Sequence, residues 1–229
     1  MSNTSQLYLY EEVLLLALQD KKGTVVSGSW YTYAVAGAIL AELILGDRIR
    51  AEGKKDDLIL RSREPFGDEL LDECLGHIAA RTKAQPARAW ISKIASWKEL
   101  KHRAAEKLCQ RGILRSDTDK FLLFFERRVY PEVNPGPEKA IIERLRDVIF
   151  GSTGSTDPRT VVLLSLALRT KVLAAVFDRK DLKRRKERIE AVVKGDTVGA
   201  AAKEVVEGVQ TAIFVSTIAP TMIGPTITS

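Results

Sequence analysis

Apolar residues recur at helical spacing along most of this chain, and short runs bounded by turn residues separate them. Glu11 to Leu18 (EEVLLLAL) opens on two acids and runs apolar to Asp20-Lys21-Lys22-Gly23, which predicts a first helix ended by a turn. Tyr33 to Leu45 (YAVAGAILAELIL) is apolar nearly all round, so it predicts a buried central helix that stops at Gly46. Arg48 to Arg50, a turn from Gly53 to Asp57, and Leu58 to Leu60 predict a short β-hairpin. The same order returns once: Ser96 to Gln110 predicts a helix, and Ile113 to Phe125, turning at Ser116 to Asp119, predicts a second hairpin. Between the two units, Asp68 to Ala80 sets Leu70, Leu71, Cys74, Leu75 and Ile78 on one helical face. Pro86 then begins a shorter helix carrying Trp90 and Ile94.

After the proline-rich stretch Tyr130 to Pro137, Glu138 to Phe150 predicts a helix with Ile141, Ile142, Leu145, Val148 and Ile149 inward. Asp157 as N-cap and Pro158 at the first helical position start an apolar helix predicted over Thr160 to Phe177. Val209 to Ser229 carries no charge but is broken by Pro220, Gly224 and Pro225. It predicts a last core helix to about Ile218 and a loose tail, not a membrane span. The expected architecture is mainly α: a single globular helical domain over residues 1–229, around a buried central helix, with short β-hairpins. Residues 1–6 and about 219–229 are expected to be its flexible ends.

A chain of 229 residues, 45% of them hydrophobic, can bury a core without a disulfide or a metal. Cys74 and Cys109 have no Cys-x-x-Cys spacing and read as reduced thiols in a cytoplasmic setting. The polar Met1 to Gln6 gives no secretory signal. Net charge is +6, of which Arg179 to Arg188 (RKDLKRRKER), with seven bases against two acids, holds +5. Such a block is either a solvated helix face or a contact for a polyanion.

Catalytic chemistry is thinly supplied. His77 and His102 are the only histidines, and neither has a partner at motif spacing. Glu11 and Glu12 are adjacent, so they point to different sides of a helix, where a role at the helix N-terminus fits them best. The loop Gly151 to Thr156 (GSTGST) lacks the lysine of a phosphate-cradling loop and reads as a helix connection. No enzyme, metal site or cofactor is expected.

Several stretches together resemble the Golgi phosphoprotein 3 family: LYLYEEVLLLAL (Leu7 to Leu18) with the Asp-Lys-Lys-Gly turn, AGAILAELILGDRI (Ala36 to Ile49), GDELLDECLGHI (Gly67 to Ile78), and HRAAEKLCQRGIL running into FLLF. The short lead before Leu7 is similar to prokaryotic-type members. The resemblance implies a helical domain around a buried helix with short hairpins, and a non-catalytic adaptor on the cytosolic face of a membrane. It also implies partners: anionic phospholipid, with phosphatidylinositol 4-phosphate as the headgroup, a protein cargo, and further copies of the chain.

The family's headgroup pocket combines an indole, a central-helix arginine and two bases one turn apart. By position these correspond to Trp30, Ala36, Lys98 and Lys101, so the arginine is missing here. Lys98 and Lys101, at i and i+3, are expected on one helix face. In the second hairpin, Phe121-Leu122-Leu123-Phe124-Phe125 stands beside Arg127 and Arg128. Five consecutive large apolar residues cannot all face one core from a two-faced strand, so a membrane or another subunit is expected to meet some of them. The alternative reading is a winged-helix-like nucleic-acid-binding protein, from the repeated helix and hairpin and a pI near 9.3. AGAILAELIL is too apolar for a groove-reading helix, so no nucleic acid is expected.

Overall fold

The computed structural model describes residues 6–19, 23–25, 30–53, 55–121, 125–151, 156–170, 172–196, 198 and 206–207. The two innermost helices are α1 (Leu9–Ala17) and α2 (Trp30–Leu45), which pack on each other. Every residue of α1 is buried, and α2 is buried from Ala34 to Leu43, as its nearly continuous apolar sequence requires. Strands β1 (Leu18–Gln19) and β2 (Thr24–Val25) pair between them.

Around that pair sit α3 (Glu69–Ala79), α4 (Ala87–Ala95), α5 (Leu100–Gln110), α6 (Gly136–Phe150) and α7 (Pro158–Arg169). Asp68 caps α3 by accepting from the backbone N–H groups of Leu70 and Leu71, both at 3.1 Å. Asp157 caps α7 through the N–H of Thr160 at 3.1 Å, as its sequence position predicts. α4 buries Trp90, Ile91 and Ile94 against α2. The outer layer is completed by α8 (Leu173–Val176), α9 (Arg179–Arg184) and α10 (Lys186–Val193).

Both helix–hairpin units are present, but the second turns later than expected: Asp117 to Asp119 lie in its first strand, opposite Val129 to Arg127, and the chain reverses between Phe121 and Phe125. α2 leads into β3 (Ile49–Glu52) and β4 (Asp57–Leu60), antiparallel with Ile49 opposite Leu60, and β5 (Gln85–Pro86) adds a third strand. α5 leads into β6 (Asp117–Phe121) and β7 (Phe125–Val129), antiparallel with Phe121 opposite Phe125. The fold is therefore mainly α with short hairpins, built on one continuous hydrophobic core.

Three further local expectations change. The helix predicted over Ser96 to Gln110 starts only at Leu100, because Glu99 is left-handed (φ 60°, ψ 17°). The helix predicted over Thr160 to Phe177 stops at Arg169, where Thr170 turns its hydroxyl back to the Leu166 carbonyl (2.6 Å), and α8 follows separately. At the end of α2 the left-handed residue is Asp47 (φ 53°), not Gly46. Gly46 serves space instead, since a Cβ there would lie 2.3 Å from the Phe66 ring. Glu11 and Glu12 diverge as expected, and Glu11 has its role at the helix start, accepting the Tyr8 backbone N–H (2.8 Å), yet both are also buried and each meets an arginine from elsewhere in the chain. The predicted loop at 152–155 and the helix over 209–218 lie outside the described residues.

Candidate functional site

The start of α5 brings several of the singled-out residues together. Lys101 lies in its first turn, whereas Lys98 is exposed in the turn that joins α4 to α5. With left-handed Glu99 between them, the two lysines do not share a helical face, contrary to the i, i+3 expectation. Lys101 is half-buried, its Nζ 5.8 Å from the centre of the Tyr130 ring, a cation–π placement. Burial first, and the neighbouring Arg127 second, push its pKa down. Among the described residues, neither Lys98 nor Lys101 has a carboxylate at salt-bridge distance.

Beside Lys101, His102 Nδ1 and the Tyr130 hydroxyl share a 2.7 Å hydrogen bond whose direction follows the imidazole tautomer. Burial and then Lys101 lower the His102 pKa, and Glu106 opposes them. The Tyr130 backbone N–H donates to the Gly23 carbonyl (3.0 Å). Gly23 has φ +58°, and a Cβ there would sit 2.3 Å from the Pro131 nitrogen. Only glycine lets the β1–β2 turn lie this close to Tyr130, which couples the segment leading to α2 with the end of β7. Spacing gave no sign of this cluster: His102 and Tyr130 are 28 residues apart, and Tyr130 reads in sequence as part of a connector.

The hairpin bases are both held. Arg127 donates to Asp119 across the strands (2.7 Å). Arg128 is ion-paired with Glu99, and with Glu106 at 3.4 Å, which ties β7 to α5 and holds the turn containing Lys98. Arg128 is thus a tether as well as a surface charge. The side chain of Phe121 and all of Leu122, Leu123 and Phe124 lie outside the described residues, as does the side chain of Trp30, the first residue of α2. Ala36, which stands where the family resemblance places an arginine, is fully buried (0% exposed). The space at that position is core.

A family model described as Golgi phosphoprotein 3 (GPP34) matches residues 9–209, from α1 past α10 and through the α5 cluster. The chain belongs to the Golgi phosphoprotein 3 family. Among curated proteins it is similar to vacuolar protein sorting-associated protein 74 of Schizosaccharomyces pombe, with 29% identity over 199 residues. That match covers 74% of this chain and 57% of the yeast protein, so the chain spans little more than half of that relative's length.

Other chemistry is sparse among the described residues. No group of three His, Cys, Asp or Glu side chains could hold a metal ion, and no helix is long and apolar enough to cross a membrane. Burial pushes the thiol pKa of Cys74, and to a lesser depth that of Cys109, upward, away from thiolate reactivity. The basic run forms α9 and α10, with Asp178 capping α9. Arg184 pairs with Asp181 (3.3 Å), Lys186 with Glu190 (3.7 Å), and Arg188 donates to the Val148 carbonyl (2.8 Å).

Proposed function

We propose that this protein is a non-catalytic peripheral membrane adaptor of the Golgi phosphoprotein 3 family, docking on the cytosolic face of an anionic membrane through Lys98 and Lys101. The observation that carries the reading is the placement of Lys101, half-buried against Tyr130 and without an acidic partner, beside the equally unpaired Lys98. An ammonium kept from neutralisation by its own fold is available to a phosphate. Each basic residue near such a surface contributes about 1 kcal/mol, so two lysines need support from the apolar hairpin tip for stable docking. Phosphatidylinositol 4-phosphate is the headgroup we assign by family resemblance. With Ala36 in the core, two lysines grip it as point charges, without the planar fork of an arginine. Protein cargo and self-association on the membrane complete the proposed role.

Against the nucleic-acid alternative, α2, the helix of the first helix–hairpin unit, is buried from Ala34 to Leu43 and offers no groove-reading face there. The test is sedimentation with vesicles of matched net charge, with and without phosphatidylinositol 4-phosphate. Lys98→Glu with Lys101→Glu changes the local charge by four units. It should cut binding at least tenfold at low salt, with helicity unchanged, and the difference should shrink as salt rises. Wild-type sedimentation of the double variant would remove these lysines from the site.

A further inference from the structure

A different part of the molecule carries a second set of unneutralised bases, arranged around a pocket. Its walls are β4 (Leu58 to Leu60) and the end of α3 (Ile78, Ala79), and its floor includes Trp90 of α4. Arg63, Arg81 and Lys83 stand around it, no carboxylate lines it, and its volume is about 230 Å³. At the ~30 Å³ that a water occupies in the liquid, that is room for roughly seven or eight waters. A phosphate on a short carbon stem would fit.

The charge pattern is local and one-sided. On the neighbouring hairpin, Arg48 pairs with Glu64 (3.2 Å), Arg61 with Asp47 (3.5 Å) and Arg50 with Glu52. Among the described residues none of the three pocket bases has a carboxylate at that range. Arg63 instead donates to the Ala79 carbonyl (3.2 Å), covering one of the exposed carbonyls at the C-terminus of α3 that would otherwise repel an anion. Arg81 lies 6.0 Å from the Trp90 ring centre, and Lys93 lies 4.8 Å from it. The indole thus holds further positive charge beside the pocket. Three like charges around one concavity repel each other unless an anion sits between them, and a guanidinium pair suits a phosphate's two-oxygen edge.

We propose that this pocket is a phosphomonoester-binding site, formed by Arg63, Arg81 and Lys83 and separate from Lys98 and Lys101. The ligand is a small phosphomonoester, either free or carried by a lipid. This site stands on its own geometry and does not depend on the membrane role of α5.

The test follows the Trp90 indole N–H resonance of the whole ¹⁵N-labelled protein, assigned with Trp90→Phe, during titration with glycerol 3-phosphate and, separately, inorganic phosphate. A saturable shift is expected with glycerol 3-phosphate. It should weaken at least tenfold in Arg63→Gln/Arg81→Gln/Lys83→Gln and stay unchanged in Lys98→Gln/Lys101→Gln. In parallel, sedimentation with phosphatidic acid vesicles is compared with phosphatidylglycerol vesicles of equal charge. A preference for phosphatidic acid that the triple variant loses, without a response to glycerol 3-phosphate, would assign the site to a lipid-borne phosphate. The triple variant is checked by circular dichroism, and its bases are surface groups whose removal leaves the core intact. The idea is overturned if no probe gives a response, or if the response survives the triple substitution.

Discussion

Three buried glutamates hold the largest stakes at the scale of single residues. Glu11, Glu12 and Glu42 are at most 5% exposed, and a buried carboxylate is costly unless paired and hydrogen-bonded. Arg111 of the α5 turn reaches Glu11 (2.8 Å), Arg144 of α6 reaches Glu12 (2.8 Å), and Arg159 of α7 reaches Glu42 (2.5 Å) and the Leu7 carbonyl (2.9 Å). Burial raises the pKa of Glu11 and Glu12 more than these arginines lower it. Arg159→Leu strands Glu42 in the core and should cost ~3–5 kcal/mol in urea unfolding. A loss under about 1 kcal/mol would show the pair to be incidental. His102 supplies a pH effect. Its folded pKa lies below the ordinary 6.5, so the unfolded chain takes up the proton first as pH falls. The stability linked to this group is complete above about pH 6.5 and lost as pH drops toward the folded value. Thermal melts of wild type minus His102→Gln, from pH 7.5 to 5, should show stability falling with acid only where His102 is present. Parallel curves would sink the assignment.

Among elements, the β6–β7 hairpin is the one whose existence needs explaining. A two-stranded hairpin with five-residue strands is marginal alone, and here Arg128 ties it to α5 through Glu99 and Glu106 while Asp119 and Arg127 pair across it. Its base is therefore fixed to the same turn that carries Lys98. With the hairpin base and the lysine site held together, Phe121→Asp with Leu122→Asp should weaken vesicle sedimentation or self-association at least tenfold. The reason is that one buried Phe contributes about 1.5–3 kcal/mol. The melting temperature should hold. Unchanged binding with unchanged solution mass would retire the insertion role, and a large fall in melting temperature would place these side chains in the core.

For the whole molecule, the sequence was most informative where one period dominated. The all-round apolar run of α2, the one-faced pattern of α3 and the Asp157-Pro158 start of α7 translate directly into buried faces and caps. Breaks made by single residues were not visible. Glu99 is left-handed and its carboxylate meets Arg128, 29 residues on, and Thr170, where α7 ends, turns its hydroxyl to the Leu166 carbonyl. Lys98 and Lys101 were placed by family resemblance, yet Tyr130, His102 and Gly23 around them depend on tertiary approach, which no local spacing encodes. The burial of the two acids is hidden for the same reason: EEVLLLAL reads correctly as a helix start, while its arginines lie 100 and 132 residues away. That separation also sets a schedule for synthesis. At the ribosome's ~5–20 residues per second, Glu12 leaves the exit tunnel roughly 7–26 s before Arg144 does. Throughout that interval α1 lacks its full shell, and its glutamates stay hydrated. The helix made early is enclosed late, so the nascent chain is an expected client for chaperones until α7 has left the exit tunnel.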